Sequence, residues 1–129
     1  MILSLDFSSD IPIYQQIRNQ IVLEIANGSL EPGEKLPTIR NLAEEAGINT
    51  MTVNKAYQLL KQEGYILADR RSGARVCEQN GGNTVLLKQA KDSLKLALSE
   101  VRAAGMQAEE ILDFCREFLQ RNGVGEGKE

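Results

Sequence analysis

Between Ile39 and Leu60 the chain reads "IRNLAEEAGINTMTVNKAYQLL", two short helical periods separated by a glycine. Ile39, Leu42, Ala43 and Ala46 recur at the spacing of one helix face; Val53, Ala56, Tyr57 and Leu60 recur at i, i+3, i+4 and i+7 on a second. Gly47 suits a left-handed turn between them, and Thr38 and Asn49 or Thr50 are the N-cap candidates. Ala43 must be small where the two helices cross, while Ile48 and Val53 lock the pair from inside. This is the pattern of a helix-turn-helix.

The second helix, which ends at Gly64, has an unusual outer face. Met51, Thr52, Asn54, Lys55 and Gln58 are short hydrogen-bonding groups with one cation, where a solvated helix would show Glu–Lys pairs. The edges of the DNA major groove present donors, acceptors and the thymine methyl in fixed patterns, and Asn, Thr, Lys and Met can meet them.

The flanking segments frame this unit. "MILSLDF" reads as a short extended arm. "SSDIP" opens a first helix, with Ser9 and Asp10 as capping candidates and Pro12 in its first turn. Tyr14, Ile17, Ile21 and Ile25 form its apolar stripe, and Asn27–Gly28 ends it. "SLEPGEKLP" is a loop around the Pro32–Gly33 turn. "YILADRRSGARVCE" reads as two strands around a basic turn, Arg70 to Gly73, a wing reaching backbone or minor groove. After the linker "QNGGN", Leu87, Ala90, Leu94, Ala97, Val101 and Ala104 form a seam spaced by threes and fours. Ile111, Phe114, Cys115, Phe118 and Leu119 mark a last helix, whose first turn carries Glu109 and Glu110.

The totals narrow the function. With 129 residues and 42% hydrophobic content there is enough for a real core, though an aliphatic one, because only 5% is aromatic and Trp is absent. The chain has no His, so the commonest general base and metal ligand are missing. No Gly-rich phosphate loop or paired-carboxylate site appears, so an enzyme is not expected, nor is a cofactor or metal. Cys77 and Cys115 stand far apart and read as free thiols. No run approaches the ~18 apolar residues of a membrane span, and the N-terminus lacks a signal pattern, so the cytoplasm is the expected location. The net charge of −3 and pI of about 5.1 argue weakly against nucleic acid. Locally the balance reverses: Gly33 to Val76 holds seven basic and five acidic residues, a net +2. Of these, Arg40, Lys55, Arg70 and Arg71 lie where the fold would present them to phosphate.

The stretch from Ile11 to Gln79 strongly resembles the winged-helix domain of GntR-family bacterial transcription regulators. The motifs that carry the resemblance are "PIYQQI", "GEKLPTIRNLA" and "GINTMTVNKAYQLLKQEGYI", and the opening together with the short helical tail resembles the YtrA-like subfamily. The resemblance implies that Thr38 and Arg40 hold the DNA backbone. It implies groove contacts from Asn49, Thr50, Met51, Thr52 and Asn54, and a wing tip of Arg70, Arg71, Ser72 and Gly73. Many relatives have Arg at the positions of Thr50 and Asn54. Their wing reads Arg-Gly-x-Gly-Thr-Phe-Val where this chain has "RRSGARV", so Arg71 replaces the first Gly and Arg75 the Phe.

The expected fold is mainly α with a small β-hairpin. A winged helix-turn-helix spans 11–79 (helix-turn-helix about 38–57, wing about 66–77), and a two-helix element spans 84–122. The resemblance makes that element a dimerisation device built on the Leu87–Ala104 seam with Ile111, Phe114 and Phe118. Packing of the seam on its own head is the alternative. The function implied is a repressor, binding an inverted-repeat DNA operator as a homodimer and released by a small effector, though no residue set specifies that effector. A winged-helix protein-interaction module is the competing reading.

Overall fold

The computed structural model describes residues 3–69, 73–78 and 84–121. Its elements run α1 (Ile13–Ala26), α2 (Ile39–Ala46), α3 (Thr50–Glu63), β1 (Ile66–Asp69), β2 (Gly73–Val76), α4 (Thr84–Ala103) and α5 (Ala108–Arg121). The chain divides into two compact units, Met1–Gln79 and Asn80–Glu129.

In the first unit α1, α2 and α3 close on an aliphatic core in which Ile17, Ile21, Leu42, Val53, Leu60 and Ile66 are essentially sealed from solvent. Each such side chain stabilises the fold by about 1.5–3 kcal/mol. The apolar stripes that set the helical periods are the faces that are buried, with Tyr14, Ile25, Ile39 and Ile48 packed at the margin. Arg18 of α1 grips the last residue of α3: its Nε and Nη2 donate to the Glu63 carboxylate at 2.9 and 3.3 Å. The same guanidinium lies over the Tyr65 ring, 5.5 Å from its centroid. This two-pronged, half-buried pair ties the two longest helices of the unit together.

The start of α1 differs from the sequence expectation. Neither Ser9 nor Asp10 caps it. Pro12 occupies the N-cap position without a side-chain cap, and its carbonyl accepts from Gln15 N and Gln16 N. Ser9 Oγ instead accepts from Ile11 N, holding the turn before the helix. The arm ahead of it is clipped along α1 by two glutamines one turn apart. Gln16 accepts from Asp6 N at 2.8 Å and donates to Asp6 O at 2.9 Å, and Gln20 does the same to the backbone of Ser4. Leu3 and Leu5 are thereby laid on the core.

The wing pairs β1 and β2 antiparallel, in the register Ile66↔Val76, Leu67↔Arg75, Ala68↔Ala74 and Asp69↔Gly73. Its base is rooted by the buried Ile66 and Val76. The segment Gly33–Leu36, expected as plain loop, lies against β2 as a short third edge. Gly33 N donates to Val76 O, Val76 N to Glu34 O and Leu36 N to Ala74 O, each at 2.9 Å. Arg75 Nη1 adds a bond to Gly33 O at 3.0 Å. Arg75 therefore braces the wing to the segment that leads into α2.

In the second unit α4 runs for 20 residues with none buried, and in α5 only Ile111 is buried. The turn between them closes with Arg102 Nη1 donating to Met106 O. Glu110 Oε1 accepts from Gln107 N at 2.8 Å, the reaching-back half of a capping box. Ala104, expected as the end of the seam, falls in this turn beyond α4. Among the described residues no helix is long and apolar enough to cross a membrane.

Candidate nucleic-acid interface

The turn between α2 and α3 is set by Gly47, at φ 70° and ψ 36°, a left-handed conformation that a side chain disfavours. Ile48 N donates to Ala43 O across it, and Ala43 is 2% exposed where the helices meet. Tyr57, 6% exposed, donates from its hydroxyl to Pro37 O at 2.7 Å. That bond fixes α3 to the residue preceding the α2 cap. Burial pushes the Tyr57 phenol well above its ordinary pKa, so it stays a donor.

Both helix N-termini are capped by side chains. Thr38 Oγ1 accepts from Asn41 N at 3.0 Å and Asn49 Oδ1 from Met51 N at 2.7 Å. Thr38 keeps its hydroxyl proton for a further partner. Asn49 accepts one bond on its oxygen and keeps both amide protons for further partners. Neither α2 nor α3 has an acidic residue in its first turn, whereas α5 has Glu109 and Glu110. The same holds for α1 and α4, so the positive ends of α2 and α3 carry no carboxylate and are met only by their neutral side-chain caps.

Around these caps the expected side chains stand on the surface. Arg40, Thr50, Asn54 and Lys55 are exposed, Met51 is 75% exposed, and Thr52 is half-buried. Asn54 and Gln58, one turn apart, continue the polar face along α3. Lys55 is drawn back: its Nζ lies 4.2 Å from the centroid of the Tyr14 ring on α1, a cation–π contact that limits its reach. Gly73 opens β2 at φ 74°. Arg70, Arg71 and Ser72, the rest of the expected wing tip, lie outside the described residues.

The tail residues divide. Leu87, Leu94, Val101, Phe114 and Phe118 are exposed, and so are Ala90 and Ala97. Leu94, Ala97 and Val101 line an apolar groove of about 210 Å³ between α4 and α5, facing Met106, Ile111 and Phe114. Ile111, at 8% exposure, is largely covered within the single chain and forms part of the groove wall.

Three helices, a glycine turn and a hairpin, with a polar face beside two side-chain-capped helix ends, define a winged helix-turn-helix of the DNA-binding kind. The model of the bacterial regulatory proteins of the gntR family matches residues 13–76. The chain is 33% identical over 119 residues to the HTH-type transcriptional repressor YtrA of Bacillus subtilis (strain 168), covering 90% of this chain and 91% of that protein. It superposes on a transcriptional antiterminator from Listeria monocytogenes EGD-e with a TM-score of 0.85 at 29% identity, over 98% of this chain and 96% of that one. AraR(DBD) in complex with operator ORX1 matches with a TM-score of 0.53 at 26% identity, over 58% of this chain and 96% of that one. The chain belongs to the GntR family of bacterial transcription regulators, and its likeness to YtrA across nearly the whole of both chains puts it with the YtrA-like members.

Lys35 and Lys61 went unassigned in the sequence. Lys35 belongs to a loop and Lys61 lies far down α3, and only the edge pairing of Gly33–Leu36 with β2 brings them to one cleft.

Proposed function

We propose that this chain binds double-stranded DNA at an inverted-repeat operator as a homodimer and represses transcription by occupying a promoter. In this reading the first unit is the DNA-binding domain and α3 lies in the major groove. Asn49, Thr50, Met51, Thr52 and Asn54 carry the groove contacts, Thr38 and Arg40 hold the backbone, and Lys55 and the wing tip at Arg70, Arg71, Ser72 and Gly73 add phosphate contacts. The observation that carries the proposal is the exposed Thr/Met/Asn face of α3 beginning at a side-chain-capped N-terminus. The YtrA relative is itself named a repressor.

Dimerisation falls to α4 and α5. Support comes from the exposed Leu87, Leu94, Leu96, Val101 and Phe114, more large apolar surface than a two-helix hairpin leaves open without a partner. A small effector would act by altering how the two chains meet, and the site of action is the cytoplasm. Sedimentation of the intact chain and of a chain ending at Gln79, paired with gel shifts on DNA from upstream of its own gene, tests the whole scheme. The intact chain should sediment as a dimer and shift the DNA. The shortened chain should be monomeric and lose most of the ~10²–10⁴ in avidity that a second head adds. A monomeric intact chain, or a shortened chain with undiminished affinity, would remove the dimer; a protein-interaction module would shift no DNA at all.

A further inference from the structure

We propose that the cleft between α3 and the wing seats a phosphate of the DNA backbone, and that Lys35 and Lys61 are the cations that bind it. The inference rests on the DNA-binding reading and extends it to two residues which that reading does not use. The cleft has a volume of about 220 Å³, and its walls come from the Leu36–Ile39 segment, the middle of α3 and both wing strands. Lys35 and Lys61 line it from separate elements, and both are exposed. The Lys35 stem runs beside the wing, with Cε 3.9 Å from where a β-carbon on Gly73 would lie.

The charge in this cleft is unbalanced. Among the described residues no acidic side chain lines it, and neither lysine makes an ion pair. Arg18, Lys88, Arg116 and Arg121 do find carboxylates. Two cations without a carboxylate partner, set on separate walls of one apolar cleft, make a local positive potential in a chain of net charge −3. The Tyr57 hydroxyl, also in the cleft, is already given to Pro37 O and is not a ligand. Thr38, the α2 N-cap, places a positive helix end on the same cleft.

Position decides which anion. Asn54, Gln58 and Lys61 fall at i, i+4 and i+7 on α3 and all line the cleft, so the face proposed to read bases continues to Lys61 beside the wing. A duplex whose groove holds α3 must carry a backbone strand past the gap between α3 and the wing. Among the described residues no buried charged side chain organises the cleft for a small anion, and the buried Tyr57 hydroxyl is already engaged. Lysine, a point charge without a required approach angle, suits a contact that positions the duplex and reads no sequence.

The test uses the full chain with Lys35→Gln, Lys61→Gln and the double variant, on a labelled mixed-sequence duplex. Anisotropy between 50 and 200 mM salt gives the slope of log K against log salt, and circular dichroism melts confirm folding. Each lysine lost should make the slope shallower by ~0.9 per head, so over this fourfold salt range the double variant's affinity should fall about 12-fold less per head than the wild type's. Base preference on the gene's own upstream DNA should be unchanged. A folded double variant with the wild-type slope overturns the seat while leaving the DNA reading intact. Failure of the wild-type chain to bind any duplex removes both. Titration with inorganic phosphate at matched ionic strength is the control. Saturable millimolar-or-tighter binding that the double variant abolishes, without a change in DNA slope, would make the cleft a small-anion site and overturn the proposal.

Discussion

Tyr57→Phe tests how α3 is tied to α2. The hydroxyl donates to Pro37 O at 2.7 Å inside a nearly closed site, and the ring itself is retained by the substitution. At neutral pH the loss should be about 0.5–1.5 kcal/mol, the net value of one hydrogen bond, which for a small domain is a few degrees of melting temperature. The effect should then vanish in alkali. Tyr57 is held protonated by burial, with a folded pKa above that of the unfolded chain, where tyrosine ionises near pH ~10. The folded state therefore binds the extra proton. Stability is full below pH ~10 and falls as pH rises above it, at up to about 1.4 kcal/mol per pH unit. By pH ~11 the wild type should have lost about what the hydroxyl contributes, and the two proteins should melt alike. Urea melts at pH 7, 9, 10 and 11 on both chains isolate this residue, since Tyr14 and Tyr65 are common to both. A gap that stays constant from pH 9 to 11 would refute the burial argument; no gap at pH 7 would refute the tie.

Gly47→Ala should cost ~1–2 kcal/mol, because φ is +70° while an added β-carbon meets nothing within 4 Å, so the cost is conformational alone. A larger loss by chemical denaturation would point to crowding in the turn. Arg40→Ala should weaken binding to all DNA alike and make the salt slope shallower by ~0.9 per head. A changed preference at one base pair with the slope intact would mean that Arg40 reads sequence. Asn54→Ala should cost ~1–3 kcal/mol on the cognate site and little on mixed-sequence DNA. Equal losses on both, in step with a lower melting temperature, would make Asn54 structural.

The helix-turn-helix was legible because its constraints are local. Gly47, Ala43 and the Val53–Leu60 stripe each answer to a requirement that lies within a few residues in sequence, and the hairpin's strands flank a short turn. What could not be read depends on distant partners. The Gly33–Leu36 edge exists only because β2, some forty residues later, offers free carbonyls and amides, and nothing in "PGEKL" signals that pairing. Lys35 and Lys61 meet for the same reason. Ser9 and Asp10 looked like caps, but Pro12 fixes the entry to α1 and the glutamine clips take over the arm. The withdrawal of Lys55 onto Tyr14 and the burial of Ile111 likewise follow from packing between elements rather than from spacing within one.

The central claim is sequence-specific DNA binding through α3, and the most direct measurement is a footprinting titration of the full chain on DNA from upstream of its own gene. Protection of two half-sites related by a twofold axis, about 10 bp or a multiple of it apart, is expected. Affinity there should be at least ~10³ above that for mixed-sequence duplex at the same salt. Asn54→Ala should erase much of that ratio. Uniform weak binding without a footprint, or a footprint that Asn54→Ala and Thr52→Ala leave untouched, would contradict it.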